Sequence, residues 1–343
     1  MNKKHTVIEL FAGAGGLALG LKQAGFSTLG LVEIDKDSAN TLRNNNKNWN
    51  VIHEDIVEFA QKDLLKEFNL KEGELDLLSG GYPCQAFSYA GQKRGLEDVR
   101  GTLFYQYALF LNKLKPKMFL AENVKGLVTH DNGKTLKTMI EVFENEGYEV
   151  KYKVLNAWNY GVAQKRERIF IIGIRKDLVE NIEFNFPQEH SYKPVLRDVL
   201  VDVPDSVGVE YSENKKKVME LVPPGGCWVN LPEQVAKDYM KTTYYMGGGR
   251  RGIARRLSYD EPSLTLTTSP SMKQTERCHP EQTRPLKTRE YARIQSFPDE
   301  WQFSGSVASI YKQIGNAVPV NLAKEVGKEV IKVLEKIKKI RSL

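Results

Sequence analysis

The feature that most constrains this chain is the alternation, through roughly its first half, of short apolar runs with segments of helical spacing. The runs at 6–11, 28–34, 51–53, 75–79, 117–122, 148–155 and 168–175 are strand-like, and 17–24, 37–44, 102–114 and 134–146 place apolar residues at helical intervals. Strands that alternate with helices build a mostly parallel sheet covered by helices. The expected fold class is therefore α/β, a doubly wound, Rossmann-like domain.

With 343 residues the chain exceeds what one hydrophobic core usually supports, so two domains are expected. From about Phe186 the pattern degrades into prolines, glycines and isolated strand-like pieces. The stretch 318–343 reads as an amphipathic helix with lysines on its outer face, whose simplest use is to pack back on the first domain. The expected division is 1–186 plus 304–343 for the regular domain and 187–303 for a smaller, irregular one.

Cys84, Cys227 and Cys278 lie far apart with no CxxC pair, which argues against a disulfide framework and a metal site and fits a reducing cytoplasm. No apolar stretch approaches membrane-spanning length, so a soluble cytoplasmic protein is expected, without a membrane partner. The net charge of +7 permits a polyanionic partner. Between 241 and 293 basic side chains outnumber acidic ones roughly twofold. Arg250, Arg251, Arg255, Arg256, Lys273, Arg277, Arg284, Lys287, Arg289 and Arg293 make that segment the first candidate for phosphate contact.

Glu9 opens a strand-to-helix passage through Phe11, Ala12, Gly13, Gly15, Gly16 and Leu17, whose glycines allow a tight turn and a ligand close to the helix N-terminus. Gly13-x-Gly15-x-x-Ala18 satisfies a relaxed dinucleotide fingerprint, with Glu33 at the spacing of a ribose-binding acid. Alone it does not separate a nicotinamide cofactor from S-adenosylmethionine. Cys84 follows Pro83 at the carboxyl end of another strand, where open α/β sheets bind substrates. A reachable thiolate there is a plausible nucleophile, whereas a lone cysteine is more often an inert core residue.

The neighbours decide between them. Phe11 to Gly16, Glu33-Ile34-Asp35, Asp55-Ile56, Pro83-Cys84-Gln85, Arg100 to Phe104, Glu122-Asn123-Val124, Gln164 to Ile169, Arg284 to Asp299 and Gly315 to Pro319 form an ordered set. That set resembles the motifs of the DNA cytosine-5 methyltransferase family, of the bacterial restriction-modification type. The resemblance covers almost the entire chain.

The resemblance implies a methyltransferase using S-adenosylmethionine and double-stranded DNA, with Cys84 attacking carbon 6 of a flipped-out cytosine so that carbon 5 becomes nucleophilic. It implies Glu122 as the general acid at ring N3, Arg168 on the pyrimidine, Arg166 as an orienting or phosphate-binding group, and water near Asn123 taking the carbon 5 proton. For the cofactor it implies Phe11 on the adenine, Glu33 on the ribose, the amides from Ala12 to Gly16 at the methionine end, and Asp55 and Ile56 at the adenine edge. Leu17, Ile34, Pro83 and Leu103 border that pocket, and Asn316 and Ala317 close it. For DNA it implies Gln85 and Ser88 at the flipped nucleotide, Lys93, Arg94 and Arg100 on phosphates, and Thr265 near the target's phosphate. Arg250, Arg251, Arg255 and Arg256 are base-reading candidates within a target-recognition region. A monomer is expected.

Three other readings differ from this one in checkable ways. A transfer-RNA cytosine-5 methyltransferase would carry a Cys-Phe-Thr element in the small domain, which is absent. A catalytically dead DNA-binding homologue would have lost Cys84 or Glu122, and both are present. A nicotinamide dehydrogenase rests on the glycine turn alone.

Overall fold

Val7, Ile8 and Leu10 are almost wholly buried, and their strand, Thr6–Leu10 (β1), has a partner on each side. The computed structural model describes residues 4–83, 101–179, 182–246 and 249–341. The chain divides into two compact units: Met1–Asn156, Glu167–Glu189 and Val318–Leu343 form the first, Ala157–Arg166 and His190–Ala317 the second.

In the first unit β1 is joined by Ser27–Val32 (β2), Val51–Ile52 (β3), Leu77–Gly80 (β4), Met118–Val124 (β5) and Tyr148–Asn156 (β6). Gln164–Lys165 (β7) belongs to the second unit, and Glu167–Arg175 (β8) completes the sheet. The order is β3-β2-β1-β4-β5-β8-β6, with β1 to β5 parallel and β8 antiparallel to both neighbours. This is the doubly wound α/β fold that the alternation predicted. All seven expected strands form, and the parallel ones at the centre carry the near-continuous apolar runs of strands covered on both faces.

Helices Gly16–Ala24 (α1), Lys36–Asn45 (α2), Ile56–Phe59 (α3) and Leu64–Glu67 (α4) connect the first strands. Leu103–Leu114 (α5) and Lys134–Asn145 (α6) follow. Aromatic rings fill the core over β4 and β5: Phe119 lies 4.4 Å from Phe143 between centroids, and Phe104 5.2 Å from Phe143. Each such ring, taken fully from water, contributes about 2–3 kcal/mol. The Tyr107 hydroxyl contacts the carbonyls of both Leu78 and Leu120, tying α5 to two adjacent strands.

The C-terminal helix packs on the first unit as expected. Glycines set its approach: a methyl group on Gly20 of α1 would stand 2.4 Å from the Ala323 Cβ, and one on Gly327 2.9 Å from that of Ala24. In chain order the second unit holds Glu213–Glu220 (α7), Glu233–Met240 (α8), Ser263–Leu264 (β9), Thr288–Ile294 (α9) and Val307–Asn316 (α10). The C-terminal helix is Val320–Arg341 (α11).

The second unit is richer in helix than the strand-like reading suggested. Among the described residues its strand pairing is confined to β7 with β9 and isolated bridges, while α7 and α8 enclose Met219, Val222, Leu231, Met240 and Cys278. Its limits also differ from 187–303. Residues 157–166, at the tip of the β6–β8 hairpin, belong to it. So does α10, where Tyr311 packs edge-on at 5.1 Å against Tyr291 of α9. Among the described residues no helix is long and apolar enough to cross a membrane.

Candidate active site

Sheet register brings the carboxyl ends of the parallel strands level. Leu10 pairs with both Val32 and Gly80, Val32 with Ile52, and Gly80 with Ala121. Between β1 and β4 the strand order reverses, and such a switch point opens a crevice for ligands. A methyl group on Gly80 would meet the Leu10 carbonyl oxygen at 2.7 Å, so the two strands can lie this close only with glycine there.

Beyond β1 the backbone turns sharply. Phe11 has φ 58°, which disfavours most side chains, and Gly13 and Gly15 have φ 53° and 85°. Ala12 donates its N–H to the Val32 carbonyl, and Gly15 begins α1 without a side-chain cap, leaving the first amides of that helix for a ligand. Gly16 and Leu17 are buried, whereas a methyl group on Gly13 would meet nothing within 4 Å.

Glu33 holds this turn to the end of β2. Its Oε2 accepts the Gly13 N–H at 2.6 Å and its Oε1 the Asp35 N–H at 2.7 Å. Burial holds its carboxyl above the usual range against those two hydrogen bonds. Beside it Ile34 is 63% exposed, an apolar side chain left open next to a buried acid. Asp55 caps α3 through the Val57 N–H, and Ile56 is buried. Phe11 and Leu103, the first residue of α5, are half-buried against the aromatic core, and Pro83 is exposed just past β4.

On the β5 side, antiparallel pairing sets Val124 opposite Arg168 and Glu122 opposite Phe170. Arg168 Nε lies 3.0 Å from Glu122 Oε1, with both side chains nearly buried. Burial draws the Arg168 guanidinium below its ordinary pKa, and the Glu122 charge opposes that. The other oxygen, Oε2, lies 2.8 Å from where a Gly81 methyl group would stand. Asn123 donates an amide N–H to the Tyr82 carbonyl at 2.9 Å and accepts the Val124 N–H at 2.8 Å. The Tyr82 ring is anchored against Phe104 and Tyr107. The segment that leads into the Pro83-Cys84-Gln85 motif is thus fixed up to Pro83. Cys84, Gln85, Ser88, Lys93, Arg94 and Arg100 lie outside the described residues.

Sequence reasoning passed over Glu9. It is fully enclosed in β1, burial raises its carboxyl well above the usual range, and its Oε2 has no hydrogen-bond partner among the described residues. An acid within an apolar strand directly before the glycine turn was the available signal.

In the second unit several arginines serve the fold instead of a ligand. Arg166 is 1% exposed and donates to the carbonyls of Leu266 and Gly315, so burial removes it from direct contact with a substrate. Arg256, 4% exposed, donates to the carbonyls of Val222 and Met219 and to the Thr283 hydroxyl, which corrects its assignment to base reading. Arg255 pairs with Glu261 at 3.0 Å. Arg277, Arg284, Arg289 and Arg293 are likewise engaged with carbonyls or acids of this unit. Arg250 and Arg251 stand exposed. The Thr265 hydroxyl donates to the Lys165 carbonyl. Asn316 and Ala317 end α10 in a turn whose carbonyls at Ile314 and Ala317 accept from the buried Gln295 amide.

The model of the C-5 cytosine-specific DNA methylase family matches residues 5–332. Over 335 residues the chain is 64% identical to the type II methyltransferase M.Sau96I of Staphylococcus aureus, covering 97% of this chain and 77% of that one. It is 52% identical to M.PspPI of a Psychrobacter species over 341 residues, and 50% identical to M.Eco47II of Escherichia coli over 346. Those matches cover 97% and 98% of this chain and 80% and 81% of the relatives. Among solved structures, a DNA modification methyltransferase encoded within an Escherichia coli prophage has the same fold at TM-score 0.70 and 23% identity, covering 96% of this chain and 99% of that one. Dnmt2 of Spodoptera frugiperda shares it at TM-score 0.67 and 16% identity, covering 95% and 99%.

Proposed function

The chain belongs to the C-5 cytosine-specific DNA methylases, of the type II restriction-modification kind, and from that premise we propose that it methylates a cytosine flipped out of a short specific duplex sequence through a covalent Cys84 adduct. The observation that carries this reading is the Glu122–Arg168 pair at the carboxyl edge of the sheet, whose acid stands on the strand next to the one that leads into Pro83 and Cys84.

The donor is S-adenosylmethionine. Open space above Gly13, uncapped amides at the start of α1 and an exposed Ile34 beside the buried Glu33 suit a ligand with a charged end, a ribose and a flat base. Glu33 keeps lone pairs for the ribose hydroxyls, Phe11 and Ile34 flank the adenine, and the amides from Ala12 to Gly16 meet the methionine end. Asp55, Ile56, Leu103 and Pro83 border the pocket. When bound, this cofactor supplies an electrophilic methyl group.

Cytosine carbon 5 is too electron-poor to accept that group unaided. The Cys84 thiolate forms a bond to carbon 6, and the displaced ring electrons are neutralised by a proton from Glu122 at N3, which leaves carbon 5 enamine-like. Arg168 holds Oε1 and so orients the carboxyl group of Glu122. After methylation, the N3 proton returns to Glu122, and loss of the carbon 5 proton to water near Asn123 restores the ring double bond and expels Cys84 as thiolate.

Gln85 and Ser88 contact the flipped nucleotide. Lys93, Arg94, Arg100 and Thr265 serve the phosphates, while Arg250 and Arg251 approach base edges. The setting is the bacterial cytoplasm, where a monomer protects host DNA from a cognate restriction enzyme. Purified protein should transfer labelled methyl groups from S-adenosylmethionine to duplex DNA and not to transfer RNA. Cys84→Ser should abolish transfer while cofactor binding persists, and a fully active Cys84→Ser protein would overturn the mechanism.

A further inference from the structure

Two neighbouring side chains of the second unit are conspicuously open to solvent: Tyr245 is 77% and Met246 55% exposed. Isolated exposed apolar residues need no explanation, but these belong to a connected set. Tyr245 packs edge-on against Tyr244 at 5.2 Å, and Tyr244 against Trp228 at 5.8 Å. Trp228 and Tyr244 pack in turn against the core of this unit, so Tyr245 projects from a fixed base. The Trp228 indole N–H donates to the Gly249 carbonyl at 3.3 Å and its backbone N–H to that of Ile253 at 3.2 Å. Those bonds hold to Trp228 the backbone on either side of the exposed Arg250 and Arg251. From Tyr239 to Tyr259 the sequence contains no acidic residue.

We propose that this surface, made by Trp228, Tyr244, Tyr245, Met246, Arg250 and Arg251, reads base pairs of duplex DNA, with Tyr245 and Arg251 as specificity-determining side chains. The proposal rests on the DNA-methylating reading above. Arginine matches the two acceptors on the guanine edge, and the apolar faces of tyrosine and methionine suit a thymine methyl group in the major groove. A stretch without acidic groups complements a polyanion. A second copy of this chain fits less well, since a two-fold interface would set the same arginines against each other.

The test is bisulfite sequencing of plasmid from cells expressing the full chain, with the purified proteins assayed on the sequence so found and on single-base-pair variants of it. Tyr245→Ala and Arg251→Ala should each lower kcat/KM on the preferred duplex about 5- to 150-fold and methylate altered sites more nearly equally. Tyr245→Phe should restore most of the selectivity. Thermal midpoints and S-adenosylmethionine affinity should match the wild type.

Unchanged site selection at unchanged rate in both variants would overturn the proposal. So would a uniform loss on all duplexes with a shallower salt dependence, which marks phosphate contacts only. A concentration-dependent dimer that the variants abolish without altering site choice would assign the surface to self-association instead. If the wild type methylates no duplex, the underlying reading fails, and that outcome is separate from these.

Discussion

Arg168 Nε meets Glu122 Oε1 at 3.0 Å across the antiparallel pairing of β5 and β8, in a place where neither side chain is well solvated. A buried pair adds little net stability relative to an apolar pair, but removing one partner strands the other's charge. Arg168→Ala should therefore cost about 3 kcal/mol of unfolding free energy. Most of that should return in the Glu122→Gln/Arg168→Ala double variant, which a denaturant-based double-mutant cycle measures. Methyl transfer should fall at least about 100-fold in Arg168→Ala, and Arg168→Lys should not rescue it, because an ammonium lacks the guanidinium's fixed geometry. Independent, additive effects of the two substitutions would contradict the coupling.

Asn123 joins two backbone groups, the Tyr82 carbonyl and the Val124 N–H, and so fixes the chain two residues before Cys84. In the proposed mechanism it positions that nucleophile. Asn123→Ala should reduce kcat about 10- to 100-fold and leave the dissociation constant for S-adenosylmethionine within about twofold. Asn123→Asp should be worse, since its carboxylate keeps the Val124 N–H but faces the Tyr82 carbonyl as a second acceptor. Single-turnover methylation with equilibrium cofactor binding separates the two effects. A wild-type kcat in Asn123→Ala would remove the positioning role.

The strands were legible because buried parallel strands show in composition alone, and the glycine turn because positive φ at Gly13 and Gly15 demands glycine. The sequence order also pointed to Glu33 beside that turn, and the structure adds that both its oxygens hold backbone amides. The second unit was harder to read. An arginine's charge does not say whether it meets solvent or buried carbonyls, and the groups that engage Arg256 come from 34 and 37 residues before it and 27 after. No local period reports such contacts. For the same reason the sequence does not show that the Trp228 indole N–H bonds the Gly249 carbonyl, at the start of the turn that carries Arg250 and Arg251.

The contrast between Arg256 and Arg251 can be measured directly. Arg256→Ala would remove the charged donor from the buried carbonyls of Val222 and Met219, of which Met219 keeps the Val222 N–H, at a cost of about 2–4 kcal/mol. Arg251→Ala removes an exposed side chain and should alter stability by less than about 0.5 kcal/mol. Chemical denaturation of the two variants should therefore separate them by at least about 1.5 kcal/mol. Equal stability would mean that the Arg256 contacts add nothing to this unit.

At the amino ends of the central strands, His5 ties the first strand to α11: Nε2 lies 2.7 Å from Glu335 Oε1, and Nδ1 3.5 Å from Asp76 Oδ2. The hydrogen bond to Asp76, with that to Glu335, raises the His5 pKa against burial, which lowers it. Burial pushes Asp76 upward, yet His5, Lys117 and the Thr6 N–H together hold it well below the usual carboxylate range. The two effects have opposite signs in pH. Because the His5 pKa is raised on folding, its contribution is complete below its unfolded value of about 6.5 and disappears as pH climbs through the higher folded value. Asp76 contributes above its unfolded value of about 4 and loses that contribution as pH falls further. His5→Gln keeps a polar side chain but cannot become charged. Its deficit should be about 1 kcal/mol, or about 2 °C in Tm, near pH 6 once solvent screening at Glu335 is allowed for, and should shrink as pH climbs through the raised folded value. Thermal unfolding of both proteins across that range reads it out, and a deficit that grows with pH would show that the protonated imidazole is not what holds the helix.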